Sequence, residues 1–415
     1  MTSHTVQYPR FVGAALRTMF SGGSAYHGWM AFLSMIVTAG IWGYVQQTQR
    51  GLAVTGMTDQ VSWGMYIANF TFLVGVAAAA VMMVIPGYLY KIKSVKGGVL
   101  IGEMVAIGAI IMCLLFVVVD LGRPDRMWHL LPGIGRFHFP FSMLSWDVLV
   151  LNGYLLLNLH IPGYILYMRY LGKEPNPRLY MPFVYISVVW AISIHTVTAF
   201  LYNGLAGRPF WNSAILAPRF IASAFAAGPA FIVLVLHAVR HFTRFPVEAS
   251  MIRFLRQVVL VCGLINVFLL ISEIFTEFYT GSMHGISAHY LFFGLHGYNA
   301  LVPWIWTSIV LTVGGVLMLV TRQFEHGGFI RTNLPLAMII FGIWIEKGMG
   351  LIIPGFIPTP LGEIFEYQPS MIETMICFGV WAFGLLVMTV LIKFATDVET
   401  GAIHARKPAD ASRGT

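Results

Sequence analysis

Apolar residues come along this chain in runs of about twenty, separated by short stretches that hold most of the charged side chains. A helix rises 1.5 Å per residue, so about 20 apolar residues carry it across the roughly 30 Å hydrocarbon layer of a bilayer. The runs predict ten transmembrane helices, at approximately 28–48, 64–90, 98–120, 146–170, 182–204, 215–240, 254–278, 298–321, 334–353 and 371–395. The ninth is stopped soon after Glu346 and Lys347 by Pro354, Pro358 and Pro360. The expected fold is an all-α integral membrane protein, and two four-helix bundles plus an extra helix pair fit the count. A cytoplasmic segment 1–27, a transmembrane domain 28–395 and a cytoplasmic tail 396–415 follow from the same pattern.

Composition agrees with the pattern: 58% of the 415 residues are hydrophobic and only 10% charged, against roughly 25% charged in a soluble domain. A net charge of +8 would suggest nucleic acid in a soluble protein; here it has to be sorted between the two membrane faces. Eighteen of the 25 Lys and Arg fall on the face that holds the termini. The other seven are Arg50, Arg123, Arg126, Arg136, Arg208, Arg219 and Lys347. By the positive-inside rule both termini are cytoplasmic, in a multi-pass protein of the inner (cytoplasmic) membrane. The first 27 residues lack the apolar core and small-residue cleavage site of a removed signal peptide, so the first helix is expected to act as its own insertion signal.

The longer connections, 121–145, 205–214, 279–297 and 354–370, lie on the opposite face and are rich in Trp, His, Pro and Gly. That face is where chemistry and a protein partner are expected. Cys113, Cys262 and Cys377 stand singly in apolar runs with no CxxC spacing, so no iron-sulfur cluster or zinc site of the chain's own is expected and packing is their role. His284, His289 and His296 also lack the spacing of a metal site.

Ionisable side chains inside a bilayer are costly enough that each needs a reason. Glu103 lies a turn in from the cytoplasmic end of the third span; Asp120 closes that span, Asp147 opens the fourth, and Glu273 and Glu277 approach the end of the seventh. A quinone headgroup needs hydrogen-bond partners at opposite oxygens, one able to exchange a proton, in an apolar aromatic pocket. Trp128, His129, Trp146 and Asp147 meet that requirement, while Asp120, Arg123, Asp125 and Arg126 can equally pair to staple the loop. Glu273 and Glu277, one turn apart, fit a carboxylate relay or a pair bonded to neighbouring helices. His195, near the middle of the fifth span, fits a proton relay, an interhelical hydrogen bond or a haem ligand, with His160 at a similar estimated depth as its partner. The small residues Gly75, Ala77 to Ala80, Ala222, Ala224 and Ala226 to Gly228 mark faces for close helix packing.

At these motifs the chain resembles the NrfD family of polysulfide-reductase membrane subunits. The likeness rests on Leu121-Gly-Arg-Pro-Asp-Arg-Met-Trp-His129, Ser145-Trp-Asp147, Ser193-Ile-His-Thr196, Arg208-Pro-Phe-Trp-Asn212 and Trp344-Ile-Glu-Lys347. Ten spans resemble the longer branch, which includes the DsrP-type subunit of the sulfite-reductase-associated membrane complex. The resemblance implies a non-haem quinone or quinol oxidoreductase subunit, acting only within a complex and linked to sulfur-compound metabolism. Menaquinone would bind near the non-cytoplasmic face, with His129, Asp147 and His195 in catalytic roles and Trp128 and Trp146 beside the quinone. Electrons would pass to or from an extracytoplasmic ferredoxin-like iron-sulfur subunit, with a multihaem cytochrome c among the other partners. Glu103, Asp120, Glu273 and Glu277 would carry protons. A haem b quinol oxidoreductase subunit and a secondary transporter are the alternatives; the paired broken helices of a transporter are not visible in the sequence.

Overall fold

The computed structural model describes residues 7–279, 281, 285–321, 324 and 328–405. In chain order the elements are α1 (Gln7–Phe20), α2 (Ser24–Arg50), α3 (Met65–Leu89), α4 (Val99–Asp120), α5 (Met143–Tyr170), α6 (Pro177–Asn203), α7 (Leu216–Phe242), α8 (Ala249–Tyr279), α9 (Ile286–Phe293), α10 (Val302–Val320), α11 (Phe329–Lys347) and α12 (Met371–Glu399). All but α1 and α9 are long and apolar enough to cross a membrane, which makes ten spans, one for each predicted run. Several begin or end a few residues outside the apolar stretch, because a helix persists through its polar ends until it is capped. α6, for example, starts at Pro177, where the Asn176 side chain accepts from Arg178 N–H at 3.1 Å.

α3, α4, α5 and α6 form one ring of packed helices, and α7, α8, α10 and α11 form a second. The two bundles and the extra pair expected from the count are present: α2 and α12 pack on each other and lie against α4. The bundles meet where α7 lies on α3 and α6 and α11 touches α3. Small residues make that contact possible. A Cβ on Gly228 would stand 2.1 Å from the Ala79 side chain, and Gly75 faces Ala224.

The α2–α12 pair depends on one crossing of the same kind. A Cβ on Gly40 would fall 2.6 Å from the Cα of Gly379, and backbone cannot yield as a side-chain tip can. Gly40→Val is therefore expected to destabilise the fold by about 1–3 kcal/mol, the usual range for overpacking. A thermal melt in detergent checks this; an unchanged midpoint would mean that the crossing is not needed.

α3 is not a uniform helix. Pro86 has no N–H to give, and the last turn widens so that Tyr90 N–H bonds Ile85 C=O at 3.1 Å, a π turn. The segment before α2, expected as a plain polar lead, contains α1, whose Phe11 ring packs against Tyr167, Tyr170 and Phe394.

Ten crossings leave both termini at one end of the molecule and the loops 51–64, 121–142, 204–215 and 357–370 at the other, the far end. There Glu373, fully buried, accepts from Gly56 N–H at 3.0 Å, Met65 N–H at 3.1 Å and the Tyr367 hydroxyl. Met65 opens α3, where backbone N–H groups have no partner within the helix, so this carboxylate caps α3 from α12. Burial, and next the Glu373 carboxylate, push the Tyr367 phenol up and keep it a proton donor.

Candidate functional site

Asp147 lies in the second turn of α5, 1% exposed, and accepts from the Thr198 hydroxyl of α6 at 3.1 Å. Trp190 donates to Val150 C=O at 2.8 Å, and His160 packs on Phe183 with ring centres 4.4 Å apart. These three pairs set the antiparallel register of α5 and α6, and they put His195 level with Asp147. His160 is twelve residues further along α5, about 18 Å at 1.5 Å per residue, and is exposed on the outer surface. The bis-histidine pairing considered from the sequence is therefore not formed: the two histidines differ in depth and in the side they face. His195 is 1% exposed and turns toward the second bundle, with its ring centre 6.3 Å from that of Phe225 on α7.

Above Asp147 the 121–142 loop spreads its aromatic rings. Trp128, 48% exposed, stacks on His129 with ring centres 3.8 Å apart. Trp146 donates to Pro140 C=O at 2.8 Å and lies 4.5 Å, centre to centre, from Phe139. The loop is tied to α5 by the Ser145 hydroxyl, which donates to Phe137 C=O. The four-residue staple of the loop is formed only in part: Arg123 grips Asp125 through two bonds of 2.9 Å, both side chains well exposed. Those hydrogen bonds hold the Asp125 carboxyl below its ordinary value. Asp120 stands apart, with a buried Oδ1 that has no hydrogen-bond partner.

The second bundle holds a charge cluster that the sequence reading missed. Arg219, from the first turn of α7, pairs with Glu273 of α8 and donates to Glu346 of α11 at 2.9 Å. All three are less than a tenth exposed. They line a cavity of about 30 Å³ together with Glu277 and Lys347, enough for a water or two. Glu273 and Glu277 thus share one face and one cavity, as their spacing suggested. Arg219 and Lys347, sorted by sequence among the basic residues of the far face, are instead inside the bundle. The signal was available: Arg219 sits within an apolar run, and a charge there requires a partner. Lys347 Nζ lies 4.5 Å from the centre of the Phe220 ring and has no hydrogen-bond partner.

Glu103 is separate from all of these, near the end that bears the termini. It is 1% exposed and accepts from the hydroxyl of Tyr88, in the π turn of α3, at 3.0 Å. His289 bonds Gly294 C=O at 3.1 Å, a loop contact; His284 lies outside the described residues. Among the described residues no three His, Cys, Asp or Glu side chains gather as metal ligands would.

A family model described as "Polysulphide reductase, NrfD" matches residues 53–330. The chain belongs to the NrfD family. The matched region takes in the whole first bundle with its Asp147 and His195, and the second bundle as far as α10. One NrfD-type relative, from Halobacterium salinarum, is named provisionally as a membrane subunit of a dimethyl sulfoxide reductase; it is 24% identical over 90% of this chain and 92% of its own length. The "Hdr-like menaquinol oxidoreductase integral membrane subunit" of Archaeoglobus fulgidus is 22% identical over 91% and 95%. The "Menaquinone reductase, integral membrane subunit" of Nitratidesulfovibrio vulgaris is 27% identical over 51% and 53%. These relatives are membrane subunits of oxidoreductase complexes, two of them named for a menaquinone or menaquinol reaction.

Proposed function

We propose that this chain is the quinone-handling membrane subunit of a respiratory complex, exchanging two electrons and two protons with menaquinone or menaquinol at the far end of its first bundle. The observation that carries the reading is Asp147, a buried carboxylate one hydrogen bond from Thr198, beneath a loop that exposes Trp128 and His129. A quinol losing its protons needs an acceptor of this kind, and the surrounding rings suit a flat headgroup arriving from lipid. Trp146 closes the same corner. The names of the menaquinone-linked relatives favour that quinone.

Electrons leave for, or arrive from, a ferredoxin-like iron-sulfur subunit seated on the far loops. The chain's three cysteines are scattered and free, so the clusters belong to the partner. Arg123, Arg126 and Arg136 are exposed on the 121–142 loop and favour an acidic docking face. The two buried cations removed from the far-face count leave five basic residues there against eighteen, which places the termini in the cytoplasm and the partner outside it. Glu103 takes up protons from the cytoplasmic side, while Asp120, Glu273 and Glu277 serve the outer half. The motif wording around residues 121–147 and 193–212 favours the DsrP-type branch and a link to sulfur-compound reduction.

The test is gentle purification from membranes, with the quinone content and co-purifying subunits identified. Menaquinone together with an iron-sulfur subunit is the expected outcome. A preparation with intact electron transfer but no iron-sulfur partner would overturn the reading.

A further inference from the structure

Two basic side chains meet where the bundles touch, each buried and neither hydrogen-bonded. His195 of α6 is 1% exposed, with both ring nitrogens unpartnered; Lys347 of α11 is 4% exposed, with an unpartnered Nζ. Both line one cavity of about 10 Å³, along with Thr71, Gly75 and Ser223. A single water occupies about 10–15 Å³ of such space and needs polar partners to stay there. The two side chains supply them. Ser223 spends its own hydroxyl proton on Arg219 C=O at 2.8 Å and has only lone pairs left to offer.

We propose that this cavity holds one water, and that His195, the water and Lys347 form a proton bridge between the two bundles. The bridge rests on the quinone reading above, which supplies protons at one of its ends. On the first-bundle side His195 is one helical turn from Thr198, the partner of Asp147. On the other side Lys347 also lines the larger cavity of Glu273, Glu277 and Glu346, so it is the residue common to both spaces. In one transfer an N–H bond of the Lys347 ammonium breaks as the water takes its proton, and the water gives a proton to the unprotonated ring nitrogen of His195. Lys347 is left a neutral amine, reprotonated from the larger cavity. Run in reverse, the step carries a proton from the Asp147 side toward Glu277.

Gly75 offers a test that leaves both bases in place. A Cβ there would stand 3.4 and 3.5 Å from Cα and Cβ of Ala224 and 3.9 Å from Cε1 of His195. These are ordinary contacts, so Gly75→Ala fits the fold and takes up the space of the water. The experiment is solid-state NMR of the full chain, in its complex in lipid, with ¹⁵N-labelled histidine and assignment through His195→Gln. A water cross-peak to a His195 ring nitrogen is expected, lost in Gly75→Ala, where quinol turnover falls at least tenfold with bound quinone unchanged. Lys347→Met should lower turnover similarly; if it fails to fold, Gly75→Ala still decides. Absence of the cross-peak from the parent protein, or parent turnover in Gly75→Ala, would overturn the bridge. A complex devoid of quinone would sink the functional reading instead, and the water signal would still judge the bridge by itself.

Discussion

Arg219→Met is expected to destabilise the protein by about 3–5 kcal/mol, the cost of removing one partner from a buried ion cluster. In the native fold a single guanidinium answers two carboxylates from different helices, Glu273 of α8 and Glu346 of α11. Methionine fills similar space and leaves both carboxylates buried without a counter-charge. Adding Glu273→Gln and Glu346→Gln to the variant should recover much of the loss, because neutral amides carry a far smaller burial cost. Unfolding midpoints of the three proteins in one detergent measure this. A single variant as stable as the parent would show that water or lipid headgroups already screen the cluster.

The second large effect concerns turnover. Asp147→Asn keeps an oxygen to accept from Thr198, now at 3.1 Å, but it cannot exchange a proton. If Asp147 takes the quinol proton, turnover falls by about 10²–10⁴, the usual contribution of a positioned acid or base. The melting midpoint should move little, since shape and hydrogen bond are retained. The rate is read as quinol oxidation by isolated membranes at matched subunit content. Parent rates in this variant would remove Asp147 from the mechanism and return attention to His129 on the loop.

How far each feature was legible depended on how many segments it involved. Glu273 and Glu277 could be placed on one face from their spacing alone, because four residues make one turn of a single helix. Their cation could not, since Arg219 reaches them from another helix. His160 and His195 show the converse error: a depth guessed from two separate span boundaries carries the uncertainty of both, and the antiparallel register of α5 and α6 set them about 18 Å apart. α1 was missed because it is too short to span and its buried side, Phe11 and Thr18, is covered by other elements.

By itself the sequence determined that the chain crosses a membrane ten times and where, because an apolar run of sufficient length must satisfy its backbone within its own helix. It also marked, through Gly75, Ala79, Ala224 and Gly228, the faces on which helices approach closely. Only the tertiary structure decided which faces met. The α3–α7 contact joins two bundles whose residues are more than a hundred positions apart, and it brings His195 and Lys347 to one cavity. The physical reason is that insertion is a property of single segments, whereas a buried charge finds its partner through the register and rotation of several packed helices at once.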